Sequence, residues 1–438
     1  MRYTYHNDLG HGGFAKVGRY FDNINNCFVA LKIYDPVQAV LDHVDDLSLK
    51  RRFVREVNYQ SAMNNPNVVN IIDSFLESDP PFFSMPLADC SLEDELDVDP
   101  TLGENLNTVL FDILNGLEGL HNAGYTHRDL KPANVLKFSS NNAVSYAISD
   151  FGLMNAINSA STSLTGTNAT GGTALYAAPE LMGDFRRATF AADIYSFGAI
   201  LHDVFSGRAS RVPYSEITYP GPIGAIISKC TKTLPIRRYG SIAILREELY
   251  RVLTSSPIEF SSRAEERIVG LLNSGRVLDD QEWDSVFIFL ERANSNSERH
   301  KVLSAITIEH INFHLNSAPE LFTALGDYFS DVMSTESFDF DYCDILASKA
   351  EVFFNSVNLG LKAKIILALL ELGTSHNRWY VERKVALMMS NMTDELKNRL
   401  VTEINTTNFD FSGKIIHMER SINYNRAVLP IELQQLVR

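Results

Sequence analysis

Cysteine is scarce in this 438-residue chain: Cys27, Cys90, Cys230 and Cys343 lie far apart and form no Cys-x-x-Cys pair. That spacing argues against a disulfide framework or a cysteine-based zinc site. It suits buried or free thiols in a reducing, cytoplasmic compartment. Long apolar runs are missing as well. The longest aliphatic stretch is Ile365–Leu370, so no membrane span is expected, and the opening Met-Arg-Tyr-Thr-Tyr-His lacks the apolar core of a signal peptide. Positive charge is in deficit, with 39 Lys+Arg against 54 Asp+Glu and a formal net charge of −15. Both halves share it: residues 255–438 hold 18 basic and 26 acidic side chains, and residues 1–254 hold 21 and 28. A phosphate backbone needs a positive face, so neither a nucleic-acid partner nor an anionic membrane surface is expected.

What is present is ordinary for a folded protein: 45% hydrophobic and 21% charged residues, with 24 Gly and 15 Pro. The length favours two or three domains over a single core. Patterning changes along the chain. Before about residue 100, short β-rich runs such as Cys27–Tyr34 and Val68–Phe75 are punctuated by Gly, Asn and Pro. After about residue 260, helical periodicity takes over, and Ser255-Ser256-Pro257 marks the expected boundary.

The run Leu9-Gly10-His11-Gly12-Gly13-Phe14-Ala15-Lys16-Val17 places a glycine-rich turn between two strand-like segments. Glycine at Gly10 and Gly12 lets backbone N–H groups approach phosphate oxygens where a Cβ would obstruct. Taken alone, the same cluster reads as a plain hairpin. Val29-Ala30-Leu31-Lys32 follows on the next apolar run, and Arg55-Glu56 falls on a helical stretch from about Lys50 to Met63. A buried ammonium is costly unless paired, so Lys32 and Glu56 make sense as an ion pair that also holds phosphate. His127-Arg128-Asp129-Leu130-Lys131-Pro132-Ala133-Asn134-Val135-Leu136, Ser149-Asp150-Phe151-Gly152 and Gly172-Thr173-Ala174-Leu175-Tyr176-Ala177-Ala178-Pro179-Glu180 then occur in order. Over about residues 3–254 the chain resembles the eukaryotic-type serine/threonine protein kinase family. Three ordered motifs leave coincidence negligible.

The resemblance implies an α+β bilobed kinase fold, with residues 1–88 as N-lobe and hinge, residues 89–254 as C-lobe, and ATP and Mg²⁺ as cofactors. It implies that Asp129 orients the substrate hydroxyl and accepts its proton, and that Lys32 holds the α- and β-phosphates with its direction fixed by Glu56. Lys131 would lie beside the γ-phosphate, a lysine that in the family goes with serine/threonine acceptors. Asn134 and Asp150 supply the hard oxygen ligands that Mg²⁺ prefers. Val17, Ala30 and Leu136 match the apolar residues that sandwich adenine. Met85 stands at the gatekeeper position. Pro86 replaces the usual hinge acid but keeps its carbonyl, and Ala88 offers the hinge N–H. Glu180 with Arg238, Asp193 and Thr173 match structural positions of the family.

Some positions depart from the family pattern. Ala15 replaces the third loop glycine, and the region between Gly207 and Ile226 is short. Gln60 puts an amide where an apolar side chain is usual, four residues after Glu56. Unsatisfied, a buried amide costs about 1–3 kcal/mol, so this helix is expected to dock weakly or need a partner. Arg128 beside Asp129 gives a phosphorylated activation loop a cation to dock on, and autophosphorylation is expected at Thr165, Thr167 or Thr170.

Residues 258–438 carry no chemical motif. Helical segments are expected at Ala264–Asn273, Gln281–Ala293, Glu298–Asn316, Pro319–Met333, Tyr342–Val357, Leu361–Leu372, Trp379–Met389, Thr393–Asn405, Gly413–Ile422 and Ile431–Val437, with Gly360 and Gly373 bracketing one of them. This is read as an all-α domain, α-solenoid-like or an irregular bundle, that binds a substrate or regulator. His300, His310 and His314 are read as one partly exposed helix face rather than a metal site. The acids Asp327, Asp331, Glu336, Asp339, Asp341 and Asp344 are read as a solvated loop. The function expected is transfer of the ATP γ-phosphoryl group to protein Ser/Thr hydroxyls. The alternative is a nucleotide-binding, pseudokinase-like scaffold whose helical half mediates protein interactions. Ala178-Pro179-Glu180, which in the family positions a protein substrate, argues against a small-molecule phosphotransferase.

Overall fold

Strand-forming runs broken by turn residues lay down the first three strands as a meander. The strands are β1 (Tyr3–His11), β2 (Ala15–Asp22) and β3 (Cys27–Tyr34), followed by a single turn α1 (Gln38–Leu41), the helix α2 (Asp46–Ser61), then β4 (Asp73–Phe75) and β5 (Phe82–Pro86). Together they form an antiparallel five-stranded sheet ordered β1-β2-β3-β5-β4 among the described residues. The computed structural model describes residues 2–140, 143–152, 155–156, 173–182, 189–254, 260 and 262–437.

Val29, Ala30, Leu31 and Lys32 are all buried, so β3 is covered on both faces. That is why its apolar run is continuous rather than alternating. One face packs with Phe53 and Val57 of α2 in a core shared by Phe83 and Met85, and the other meets Tyr3. Of the run Val68–Phe75 only Asp73–Phe75 is a strand; Val68 makes an isolated bridge to Ile148. The helix α2 begins four residues before the expected Lys50, because the Asp45 side chain accepts from the Ser48 N–H and caps it.

Beyond β5 the unit becomes mainly helical. It contains β6 (Cys90–Ser91), α3 (Leu92–Val98), α4 (Leu106–Asn122), β7 (Tyr125–Thr126), β8 (Val135–Ser140), β9 (Ala143–Ile148), β10 (Asn155–Ala156), α5 (Phe190–Ser206), α6 (Gly221–Cys230) and α7 (Ile242–Leu253). The i, i+3, i+4 stripe Val109, Leu110, Ile113, Leu114 and Leu117 of α4 is fully buried. It joins Phe197, Ile200 and Leu201 of α5 and Leu245 and Leu249 of α7 in the largest core. Charges buried there are paired: Arg238 with Glu180 at 2.7 Å and Arg246 with Glu118 at 2.5 Å.

The chain divides into two compact units, Met1–Leu253 and Thr254–Arg438. Among the described residues the second unit is all-helical, with α8 (Arg263–Leu272), α9 (Asp280–Arg292), α10 (Asn296–Ala305), α11 (Ile308–Ser317), α12 (Pro319–Thr335), α13 (Phe340–Ser356), α14 (Leu359–Ser375), α15 (Trp379–Ser390), α16 (Asp394–Thr407), α17 (Phe411–Ser421) and α18 (Ile431–Gln434). The apolar helix α14 packs against α12, α13, α15, α16 and α17. In a solenoid each repeat meets only its neighbours, so this packing is that of an irregular bundle around a central helix.

Several details of this unit differ from the sequence reading. The expected helix Glu298–Asn316 is two helices, broken where Thr307 caps α11: its hydroxyl accepts from the His310 N–H, and the His310 ring accepts from the Thr307 N–H. His300 therefore lies on α10 and His310 and His314 on α11. His314 is buried rather than exposed, its ring 4.2 Å from that of Trp283 and close to Phe287 and Phe313. Gly360 and Gly373 lie inside α14, and a Cβ on Gly373 would press on Glu382 at 3.0 Å, so that glycine lets α15 approach. The acids are spread over helices with separate tasks. Asp327 and Asp331 pair with Lys364, Asp339 caps α13, and the fully buried Asp344 holds Arg378.

Candidate active site

Lys32 is the centre of the constellation. Its ammonium, on the buried strand β3, lies 2.6 Å from Glu56 Oε1 on α2 and 2.9 Å from Asp150 Oδ1 after β9. Burial opposes charge on Lys32, but Asp150 and Glu56 outweigh it and raise the ammonium above its ordinary value. Burial likewise pushes the Asp150 carboxyl up, and Lys32 reverses this and holds it well below the carboxylate range. Asp150 is therefore an anion fixed on one side by a cation.

The segment His127–Asn134 is held from beneath by Asp193 at the start of α5. Its carboxylate accepts from the backbone N–H groups of His127 and Arg128, both at 2.9 Å, and pairs with His121 at 2.9 Å. Burial works against the charge on Asp193, yet these bonds keep its pKa below normal. They also hold Arg128 in the left-handed region, at φ 71°. The His127 ring lies 3.0 Å from the Ser149 carbonyl and packs edge-on against buried Phe151. That packing joins the segment to Asp150.

Asp129 stands above this platform. Its Oδ2 accepts from Lys131 Nζ at 2.9 Å and from Asn134 Nδ2 at 3.2 Å, and Asn134 Nδ2 also reaches the Asp129 carbonyl at 2.7 Å. Burial raises the Asp129 carboxyl above its ordinary value, against the opposing charge of Lys131. Among the described residues no protein donor reaches Asp129 Oδ1, Asp150 Oδ2 or Asn134 Oδ1. The last two atoms are hard oxygens of the kind that, with phosphate oxygens, hold Mg²⁺. The residues present fit that ion.

The apolar candidates share one cluster. Ala30 pairs with Met85 across β3 and β5, and Val17 and Leu136 pack on the same cluster. Pro86 ends β5, with Ala88 half-buried two residues on. A Cβ on Gly10 would meet no atom within 4 Å, and one on Gly12 only the Ala15 carbonyl at 3.5 Å. Protein packing requires neither glycine, although the Gly12 N–H itself donates to the Ala15 carbonyl at 2.8 Å. Gln60 is buried, but its Nε2 donates to the Val69 carbonyl at 2.6 Å. The amide expected to weaken helix docking is thus a fastening for α2.

The Arg128 Nε donates to Thr126 Oγ1 at 3.0 Å. Thr165, Thr167 and Thr170 lie outside the described residues. The sequence reading passed over Arg52 and Phe14. Arg52 Nε donates to the Gly152 carbonyl, and its guanidinium stands 4.7 Å from the centre of the Phe14 ring. The one available signal was its place a turn ahead of Glu56 on the same helix.

Residues 3–238 match the family model for the protein kinase domain. The chain is 31% identical over 284 residues to the serine/threonine-protein kinase PknB of Mycobacterium leprae, covering 59% of this chain and 44% of that protein. It is 30% identical over 278 residues to PknB of Mycolicibacterium smegmatis, covering 57% and 43%. With a probable serine/threonine-protein kinase PknB of Bifidobacterium longum the identity is 32% over 218 residues, covering 47% and 30%. The chain spans less than half the length of these curated relatives.

Proposed function

The chain belongs to the protein kinase family, and on that premise we propose that it transfers the γ-phosphoryl group of ATP to Ser and Thr hydroxyls of proteins. The observation that carries this is the convergence of Lys32, Glu56 and Asp150 within 3 Å contacts beside Asp129, Lys131 and Asn134. Family members use ATP with Mg²⁺ in general, and the ion would neutralise charge on the transferring phosphoryl group when bound. Asp150 Oδ2 and Asn134 Oδ1 would hold it.

The chain's own residues do the rest. Lys32, directed by Glu56, binds phosphate oxygens; Gly10 and Gly12 put no side chain in the way of a phosphate that approaches the turn. Val17, Ala30, Leu136 and Met85 bury the purine, with Pro86 and Ala88 at its polar edge. Asp129 orients the acceptor hydroxyl at Oδ1 and takes its proton there, while Lys131 and Asn134 fix the carboxylate through Oδ2. Lys131 also balances charge near the transferred group.

The same proposal includes modification of the chain itself at Thr165, Thr167 or Thr170, with Arg128 as docking cation, and recruitment of a substrate or regulator by the second unit. A cytoplasmic setting is supported by the four free cysteines. Among the described residues no helix is long and apolar enough to cross a membrane.

The test is incubation of the full chain with labelled ATP, Mg²⁺ and a protein mixture, beside Lys32→Ala and Asp129→Ala. Label on protein Ser or Thr in the wild type, lost in both variants, supports the reading. Equal labelling in all three refutes it.

A further inference from the structure

Arg52 and Glu56 are one helical turn apart on α2, so their side chains share a face. Glu56 reaches Lys32, whereas Arg52 reaches the turn that follows Asp150, where its Nε donates to the Gly152 carbonyl. The guanidinium also lies against the ring of Phe14, at the tip of the glycine-rich turn. Phe14 closes the triangle. A Cβ on Gly152 would come within 2.9 Å of that ring, and Lys32 Nζ is 5.9 Å from its centre. Asp150 itself has φ 61°. A non-glycine residue pays for that conformation and keeps it only where its surroundings hold it. Lys32 holds the Asp150 side chain, and Arg52 holds the backbone two residues on.

We propose that Arg52 is a positioning residue that couples docking of α2, closure of the glycine-rich turn through Phe14, and orientation of Asp150 toward a divalent cation. This rests on the kinase reading above. Arg52 acts through Gly152 and Phe14, without touching nucleotide or substrate. Arginine suits the task because its planar head donates in its plane from Nε while offering a face to an aromatic ring. A lysine ammonium has no such face. Burial lowers the pKa of this cation, and the nearby charges of Asp150 and Glu56 oppose that only in part.

The experiment measures binding of a non-hydrolysable ATP analogue to the full chain by calorimetry, with and without Mg²⁺, alongside steady-state kinetics and melting temperature. The variants are Arg52→Met, Arg52→Lys, Phe14→Ala and Phe14→Tyr. In Arg52→Met the tightening of analogue binding by Mg²⁺ should fall about 10- to 100-fold, the range seen when groups that orient a metal ligand are removed. The Mg²⁺ concentration for half-maximal rate should rise in step, with melting temperature unchanged. Arg52→Lys should recover only part of the loss. Phe14→Ala should lose in the same direction and Phe14→Tyr should not, and the Arg52→Met and Phe14→Ala effects should be non-additive.

An unchanged Mg²⁺ effect in a folded Arg52→Met overturns the proposal. If that variant does not fold, equal Mg²⁺ effects in Phe14→Ala and Phe14→Tyr overturn it. A wild type that binds the analogue with Mg²⁺ but transfers nothing would instead overturn the kinase reading, while the calorimetry still decides the role of Arg52.

Discussion

Asp129 is acted on in opposite directions, raised by burial and lowered by Lys131. As a base it must be ionised, so activity should fall as pH drops through a value above the ordinary carboxylate pKa of about 3.9. Lys131→Met removes the lowering influence and should move the acidic limb of the kcat/KM profile to higher pH. A limb that stays put or moves down would contradict this. His314 gives a second acid dependence, unrelated to catalysis. Burial lowers its pKa from 6.5 to about 4, so the fold favours the neutral ring. Between those values the unfolded chain binds a proton that the folded chain does not, and stability is lost as pH falls, by about 3 kcal/mol in full. Above pH 6.5 this contribution is constant. His314→Phe keeps a ring beside Trp283 and should flatten the melting temperature of the full chain between pH 6.5 and 4. An unaltered slope would sink the assignment. At this scale the sequence was legible where chemistry demands a particular side chain, as at Lys32, Glu56, Asp129, Asn134 and Asp150. It was silent on Arg52, whose partner is a backbone carbonyl that leaves no mark in a motif. It misjudged Gln60 because satisfaction of a buried amide depends on a neighbour, the Val69 carbonyl, set by the fold.

Elements were legible where periodicity is strong. The buried stripe of α4 and the continuous run of β3 followed from spacing alone. Boundaries were less so, since capping competes with pattern: Asp45 starts α2 early, and Thr307 splits what reads as one helix into α10 and α11. Thr307→Ala should therefore destabilise the second unit by about 1 kcal/mol, the usual worth of such a cap, read by chemical denaturation of the full chain. No change would mean that packing alone sets the break. For α2, Gln60→Ala leaves the Val69 carbonyl without its partner. It should slow phosphoryl transfer as well as lower stability, because the same helix carries Glu56 and Arg52.

At the scale of the whole chain, the first unit was legible because three ordered motifs pin its topology, whereas the second has no motif and only a succession of helices. Whether such helices stack or gather depends on which of them is buried against the most others, and α14, with ten buried residues, is that helix. Leu369→Ala at its buried face should cost about 2–5 kcal/mol, seen as a lowered denaturation midpoint. A loss under 1 kcal/mol would argue against α14 as the centre. The central claim is that groups from β3, α2, the His127–Asn134 segment and Asp150 converge on one metal-bound nucleotide. Its most direct test is a crystal structure with a non-hydrolysable ATP analogue and Mn²⁺, whose anomalous signal locates the cation. The account expects the cation bonded to Asp150 Oδ2 and Asn134 Oδ1, with a phosphate oxygen on Lys32 Nζ. A cation bound elsewhere, or a triphosphate that leaves Lys32 with Glu56 and Asp150 alone, would contradict it.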